Sequence, residues 1–146
     1  MVIFRHTSLK MSIRLRHAKH NEEICNNLCS DHNNADWVVT IAFYSALHFV
    51  EYKIFPLQVT VGTHKVKIKN FSNYYSTYHT DRKLNKHSVR SNLVSSRLAS
   101  ISADYSWLKS TCWNARYVDY NFPNAQSVIL ETQKRLNSIK SLCEKK

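Results

Sequence analysis

The chain has 146 residues and a formal net charge of +11, which suits one domain with a packed core and excludes two domains of ordinary size. With one glycine and two prolines, it has few positions for turns, so a many-stranded sheet and the glycine-rich phosphate loops of nucleotide-binding folds are excluded. We therefore expect one all-α domain over residues 1–146, built as an up-and-down bundle of four to five helices. The positive charge favours an anionic partner: nucleic acid, an acidic protein or a membrane surface.

The N-terminal residues and the cysteines indicate the cellular compartment. Residues 1–11 lack the apolar core of a secretory signal, so we expect a short extension before the first helix, with Met11 as an alternative start. Because this extension is basic and free of acids, a transit peptide is the other interpretation. No run of about twenty apolar residues is present, so we expect no membrane contact through a spanning helix. The four cysteines lie within helical patterns, which predicts reduced thiols in a cytoplasmic protein.

Two helices are predicted in the first third of the chain. The first runs from about Ser12 to Cys29, and a polar turn over residues 31–34 follows it. The second begins at Ala35 or Asp36 and ends at Phe55, because the proline that follows cannot continue a helix. It is apolar nearly all round, so it should be the most buried helix. The predicted inward residues are Ile13, His17, His20, Ile24 and Leu28 in the first helix and Trp37, Ile41, Tyr44, His48, Tyr52 and Phe55 in the second.

Residues 57–78 break the helical period and include the first predicted RNA contacts. The alternation in QVTVGTHKVKIKN around Gly62 predicts either a small hairpin or an irregular loop between the second and third helices. Four aromatic residues follow directly, and lysines beside exposed aromatic rings suit single-stranded RNA. Alternatively, these aromatic side chains pin the segment onto the bundle. The lysines predicted to contact RNA are Lys65, Lys67 and Lys69.

The stretch from His79 to Tyr120 contains no glycine or proline and has a helical seam of apolar and neutral residues. A helix that begins near Thr80 or Asp81 and reaches Val118 would be about 57 Å long, too long for a compact domain. We therefore expect a break near Lys109–Thr111 or Asn114. A last helix is predicted over Ala125–Cys143. The seam residues are Leu84, His87, Ser91, Val94, Leu98, Ile101, Tyr105, Leu108 and Cys112.

The first half of this stretch is strongly basic, and its end is rich in arginine and tyrosine. We predict that it binds RNA or a nucleotide, because phosphates attract cations and unstacked bases stack on aromatic rings. A solvated basic face without a ligand is the alternative. The predicted binding residues in this stretch are His79, Lys86, Arg90, Tyr117 and Tyr120.

Metal and cofactor chemistry is not expected. His17, His20, Cys25 and Cys29 resemble a zinc ligand set, but all four fall on one helix, which cannot surround a tetrahedral ion. The paired acidic residues that hold metals for nucleic-acid cleavage are also missing from the sequence pattern. We therefore expect neither a metal site nor a cofactor.

Arginine and histidine are the candidates for metal-independent RNA cleavage. Such cleavage needs a base for the 2′-hydroxyl proton and a cation that stabilises the phosphorane. Arg82 and His87 supply both types of group, although on an ideal helix they lie about 140° apart. They would converge if the helix begins after Arg82 or if two subunits share the site. Because His87 also lies on the seam, a buried structural histidine is its alternative role.

Three segments between residues 18 and 122 form one pattern: AKHNEE in the first helix, DWVVTIAFYSALHFVEY in the second, and HTDRKLNKHSV leading to NARYVDYNF. In this pattern the chain resembles the HEPN superfamily, small all-α domains of bacterial toxins, defence systems and RNA-processing enzymes. The resemblance implies a four- or five-helix up-and-down bundle that often dimerises. It also implies metal-independent ribonuclease activity through an Arg-x4–6-His motif, with sites that face each other across the dimer groove.

The resemblance places Arg116 at the position of the family's catalytic arginine. No histidine follows Arg116 in this chain, and tyrosine stands in its place, as in members that are non-catalytic or bind nucleotides. Only Arg82 and His87 have the motif's spacing, at an earlier position in the bundle.

We therefore expect RNA or nucleotide binding, with Arg82, His87 and Arg116 as candidate catalytic residues of a metal-independent endoribonuclease from a toxin or defence system. The alternative is a non-catalytic dimerisation or binding module that acts with a partner protein. An unrelated helical protein, including a DNA-binding or small structural subunit, is the third interpretation. The expected partners are RNA or a nucleotide, a second copy of the chain, and a defence-system or antitoxin protein.

Overall fold

The computed structural model describes residues 11–78 and 84–146, and most of them are helical. The prediction of a mainly helical domain is confirmed, although the described residues form six α-helices, more than the four or five expected, together with one two-stranded sheet. None of these helices combines the length and the apolar character that crossing a bilayer requires. In chain order the elements are α1 (Ile13–Leu28), α2 (Ala35–Ile54), β1 (Leu57–Val61), β2 (His64–Ile68), α3 (Phe71–Tyr78), α4 (Lys86–Arg97), α5 (Ser102–Tyr117) and α6 (Ala125–Cys143).

The helix α2 is the centre of the bundle, as its apolar character predicts. It packs against α1, α5 and α6, and most of its residues are buried. The predicted inward face was only partly right: Phe55 is buried, but Trp37 is 59% exposed and Tyr44 and His48 are only half-buried. The face against α1 carries small residues instead, and the Ser45 hydroxyl donates to the Ala18 carbonyl at 2.7 Å. Small side chains allow the two helices to approach closely, and Trp37 turns outward while Phe43 and Phe49 fill the core.

The inward face of α1 differs from its prediction for the same reason. Ile13 is 62% exposed and both His17 and His20 are exposed, whereas Ala18 and Cys25 are fully buried. Ala18 and Cys25 are seven residues apart, so they share one face of the helix. Burial raises the pKa of the Cys25 thiol to about 12, which keeps it protonated and unreactive at neutral pH.

The segment after α2 folds as the hairpin that the sequence allowed. Strands β1 and β2 are antiparallel, with Leu57 opposite Ile68, and Gly62 adopts the positive φ of 62° that its turn requires. Leu57 and Ile68 are buried under the sheet, while Lys65 and Lys67 point from the opposite face into solvent.

The helix α3 was not predicted, because its eight residues are too few to establish a period. The Asn70 side chain accepts a hydrogen bond from the Asn73 amide at 2.9 Å and thereby caps the first turn. Phe71 is buried against Phe55, with ring centroids 6.4 Å apart, and the Tyr75 hydroxyl donates to the Leu84 carbonyl at 3.1 Å. These contacts support the interpretation in which the aromatic residues pin this segment onto the bundle.

The break in the long basic stretch lies earlier than predicted. Helix α4 ends at Arg97, Leu98 leaves the helical conformation, and a short 3-10 turn over Ala99–Ile101 leads into α5. Helix α5 then runs without interruption through residues 109–114, where the break was expected. Leu98 and Ile101 are both buried. The chain therefore turns between α4 and α5 at a position where both apolar side chains can pack in the core. The predicted helix start near residues 80–81 lies outside the described residues, and α4 begins at Lys86 after the Asn85 cap.

A buried ionic cluster joins α1, α2 and α4. The Glu51 carboxylate is 3% exposed, and its Oε1 accepts a hydrogen bond from Arg90 Nε at 2.8 Å. Its Oε2 lies 3.0 Å from Arg14 Nη1, an ionic contact without hydrogen-bond alignment. The Arg90 guanidinium also stacks 4.1 Å from the centre of the Phe71 ring. Arg90 was predicted to contact RNA, but it is 8% exposed and holds the core charge of Glu51 instead.

A half-buried histidine extends this cluster. The ring nitrogen Nδ1 of His48 lies 3.2 Å from Arg14 Nη1 and accepts a hydrogen bond from it, which requires that Nδ1 carry no proton. Desolvation, together with repulsion from Arg14, His17 and Arg90, lowers the pKa of His48 to about 4.

The free energy of unfolding should therefore fall with acid in a way that depends on His48. The unfolded state takes up the proton near the ordinary pKa of 6.5 and the folded state only near 4, so this stability is complete above 6.5 and is lost as the pH falls through that window. We expect a loss of about 1–3 kcal/mol from this residue. Urea unfolding across the window should show it in the wild type and in a His20→Gln control, and the loss should be clearly smaller in His48→Gln, where the lowered pKa of His87 still contributes. An equal slope in His48→Gln would contradict this assignment.

Candidate functional site

A groove of about 580 Å³ opens between α2, the start of α4 and α5, and we call it the His87 groove. The Asn85 side chain caps α4 by accepting from the Ser88 amide at 2.9 Å, which holds His87 in the first helical turn. Helix α5 supplies the opposite wall. The side chains important for its chemistry are Phe43, His87, Lys109, Trp113, Arg116 and Tyr117.

His87 lies at the mouth of this groove and is exposed, so its predicted place on the buried seam was wrong. Its ring centroid is 5.9 Å from that of Phe43. Partial burial of the ring lowers the pKa of His87, and the positive charges of Arg90, Lys109 and Arg116 lower it further. The imidazole is therefore neutral at pH 7 and can accept a proton from a bound ligand.

Two cations from α5 face the same groove. Lys109 is half-buried, donates to the Ser91 hydroxyl at 2.9 Å, and has a pKa lowered by desolvation and by Arg90. Arg116 is exposed, and its Nη1 donates to the Tyr44 hydroxyl at 3.0 Å. The structure therefore brings together His87 and Arg116, two of the three predicted catalytic residues, although they are far apart in the sequence. The third, Arg82, and the predicted ligand contact His79 lie outside the described residues.

A second groove of about 620 Å³ adjoins the first, and we call it the Trp37 groove. It lies between the N-terminal half of α2 and the end of α5, and it shares Tyr44 and Arg116 with the His87 groove. Among the described residues that line it, Asp36 is the one acid and Arg116 the one cation. Its aromatic residues are Trp37, Tyr44 and Tyr120.

Large aromatic side chains near Arg116 are unusually exposed. Trp113 is 57% exposed, Tyr117 65% and Tyr120 72%. The Trp113 and Tyr117 rings are 5.6 Å apart, and the Arg116 guanidinium lies 5.3 Å from the Tyr117 ring. Exposed aromatic patches on folded domains often belong to interaction sites, and here the rings lie beside a cation that has further hydrogen-bond donors.

The other predicted ligand contacts lie away from these grooves. Lys65, Lys67 and Lys69 are exposed on and after the hairpin, which follows the far end of α2, and none of them lines either groove. Lys86 is exposed beside His87 and its Nζ lies 5.8 Å from the centre of the Tyr75 ring. Within residues 11–78 and 84–146, no group of three histidine, cysteine or acidic side chains is placed to hold a metal ion.

Sequence reasoning missed Lys109, Trp113 and Trp37 as site residues. Lys109, Trp113 and Arg116 recur at steps of four and three, so they share one face of α5. That face is next to the buried stripe of Tyr105, Leu108 and Cys112, and its spacing could have identified it. No comparable signal was available for Trp37, because a tryptophan in an apolar segment predicts burial.

Comparisons with protein-family models, curated proteins and solved structures found no match to this chain. The resemblance to the HEPN superfamily therefore stays a prediction from the sequence.

Proposed function

We propose that this chain is a HEPN-like module that binds RNA or a nucleotide at the His87 and Trp37 grooves. The observation that carries the proposal is the position of Arg116, an exposed cation that donates to Tyr44 from α2 and lies 5.3 Å from the Tyr117 ring. It shares its two grooves with the exposed rings of Trp37, Trp113 and Tyr120. A guanidinium recognises phosphate through paired N–H donors. Flat aromatic side chains stack on unpaired bases.

The charge of the chain favours RNA over a lone nucleotide. The net charge of +11 favours a polyanion, and exposed lysines lie outside the His87 groove. Lys86 lies above Tyr75 at the start of α4, and α3 packs against both α4 and the hairpin strand β2, where Lys65 and Lys67 face solvent. A longer strand can therefore contact these lysines while one phosphate occupies the groove.

A single substitution tests the binding site. Arg116→Gln should weaken the affinity for a single-stranded RNA by about 10- to 100-fold, because a hydrogen-bonded charge is lost. Fluorescence anisotropy at several salt concentrations should also give a flatter salt slope, by about 0.7 for the lost phosphate contact. Arg97→Gln, which alters an exposed arginine at the end of α4, is the matched control. Equal affinities and slopes for the two variants would contradict a site at Arg116.

Metal-independent RNA cleavage is a second candidate function, favoured by the neutral state of His87 beside two cations. His87 would take the 2′-hydroxyl proton, and the 2′-oxygen would then attack the adjacent phosphorus. Lys109 and Arg116 would stabilise the phosphorane charge. The bond to the 5′-oxygen breaks, this oxygen takes a proton from solvent, and a 2′,3′-cyclic phosphate is left. The alternative is a non-catalytic binding or dimerisation module beside a toxin- or defence-system partner. In the resemblance, the tyrosines after Arg116 favour that alternative.

A further inference from the structure

We propose that the two grooves are adjoining nucleotide subsites on either side of Arg116, so that the ligand recognised is a dinucleotide step of single-stranded RNA. This inference rests on the proposed function and adds the size and the strandedness of the ligand. It assigns the phosphate and one nucleoside to the His87 groove and the neighbouring nucleoside to the Trp37 groove.

The first argument is continuity. Both grooves include Tyr44 and Arg116 in their walls, so a ligand that occupies both grooves can pass beside this pair. Each groove, at about 580 and 620 Å³, falls in the range of roughly 300–1,000 Å³ that holds one small ligand. Tyr44 occupies one N–H of Arg116, and the guanidinium carries further donors for a bridging phosphate.

The second argument is the distribution of charge. The His87 groove includes Lys109 and Arg116 and has no described acidic residue in its wall. The Trp37 groove includes the Asp36 carboxylate, which repels a phosphate and accepts hydrogen bonds from a ribose hydroxyl or a base amino group. The phosphate is therefore favoured on the His87 side of Arg116, and an uncharged nucleoside is favoured on the Trp37 side.

The third argument is the pair of stacking surfaces. Trp113 and Tyr117 offer rings in the His87 groove, and Trp37 and Tyr120 offer rings in the Trp37 groove. All four side chains are more than half exposed, so a base can reach them without rearrangement of the core. Bases within a duplex are already stacked on each other and cannot use these rings. The arrangement therefore selects unpaired nucleotides and tolerates any base.

The experiment compares adenosine monophosphate with an adenylyl-adenosine dinucleotide that carries a 2′-O-methyl group, which prevents cleavage. Isothermal titration of the wild type should give an affinity about 5- to 100-fold higher for the dinucleotide, because a second base stacks. Trp37→Ala should reduce the dinucleotide affinity to that of the mononucleotide and leave mononucleotide binding unchanged. Trp113→Ala should weaken both ligands. Leu130→Ala is the control, because Leu130 is also 59% exposed but lies on α6.

The outcomes separate this inference from the proposed function. If the mononucleotide binds and Arg116→Gln weakens it, but the dinucleotide binds no tighter or Trp37→Ala has no effect, the two-subsite arrangement is overturned and the proposed function stands. If neither ligand binds the wild type although a longer single-stranded RNA does, the inference alone is overturned; if that RNA also fails to bind, the proposed function falls with it. A second copy of the chain is the other occupant that the Trp37 groove could hold, and sedimentation velocity of Trp37→Ala tests it. A loss of self-association with unchanged dinucleotide affinity would assign the Trp37 groove to a second copy and overturn the inference. Circular dichroism confirms that each variant is folded.

Discussion

Replacing Arg90 with alanine is expected to lower the free energy of unfolding by about 3–5 kcal/mol, since it leaves the buried carboxylate of Glu51 without its hydrogen-bonded partner. Arg90 is almost completely buried, holds Glu51 Oε1 at 2.8 Å and stacks on Phe71. Arg14 contacts the other carboxylate oxygen but is itself partly exposed, so it compensates poorly. Urea denaturation monitored by circular dichroism would measure the change.

The matched control for this prediction is Arg97→Ala. Arg97 is an exposed arginine on the same helix, and its loss should change stability by no more than about 0.5 kcal/mol. Under conditions in which Arg90→Ala stays folded, its RNA affinity should equal that of the wild type. A stable Arg90→Ala protein with weakened RNA binding would restore the role that the sequence alone predicted for this arginine.

If the chain has the ribonuclease activity proposed as its second candidate function, replacing His87 with alanine is expected to slow RNA cleavage by about 10²–10⁴-fold, the usual contribution of a general base. Cleavage by the wild type should persist in EDTA and leave 2′,3′-cyclic phosphate ends. Because the pKa of His87 is lowered, the rate should already be at its plateau at pH 7 and should fall only when the pH drops below 6.5, as the ring takes up a proton. Chromatography of the cleaved RNA over a pH series measures the rate and the end groups.

The control for this experiment is His20→Ala, which removes an exposed histidine from α1. Since His87 is also exposed, its loss should leave the melting temperature nearly unchanged, and this separates chemistry from structure. Arg116→Ala and Lys109→Ala should slow cleavage as well, through lost stabilisation of the phosphorane. If the wild type leaves RNA intact, the non-catalytic binding module is the better description of this chain.

Local sequence signals determined several elements correctly. Helices α1, α2 and α6 lie within one or two residues of their predicted bounds. Pro56 ends α2 because proline lacks the amide that a helix needs, and Gly62 supplies the positive φ of the hairpin turn. These signals act between residues that are close in sequence, so the bounds of these elements can be predicted without knowing which residues pack against them. The short helix α3 was missed because eight residues contain too little periodic pattern.

Orientation and burial were decided by the tertiary structure. An evenly apolar helix such as α2 has no sequence signal for which face is buried. Because α1 approaches closely at Ala18 and Ser45, the small residues of α2 lie against α1 and Trp37 is exposed. For the same reason, no local pattern distinguishes Arg90, which the core needs to hold Glu51, from the exposed Lys86 four residues earlier.

The sequence by itself determined a basic, mainly helical chain with a hairpin and candidate residues at His87 and Arg116. Only the tertiary structure decided that these two residues share a groove, because the corner after Leu98 folds α5 back beside the start of α4. The same corner places Lys109 and Trp113 of α5 in the His87 groove. The orientation of α2 places Trp37 in the second groove. Sequence patterns report one element at a time, whereas a binding site is formed where several elements meet.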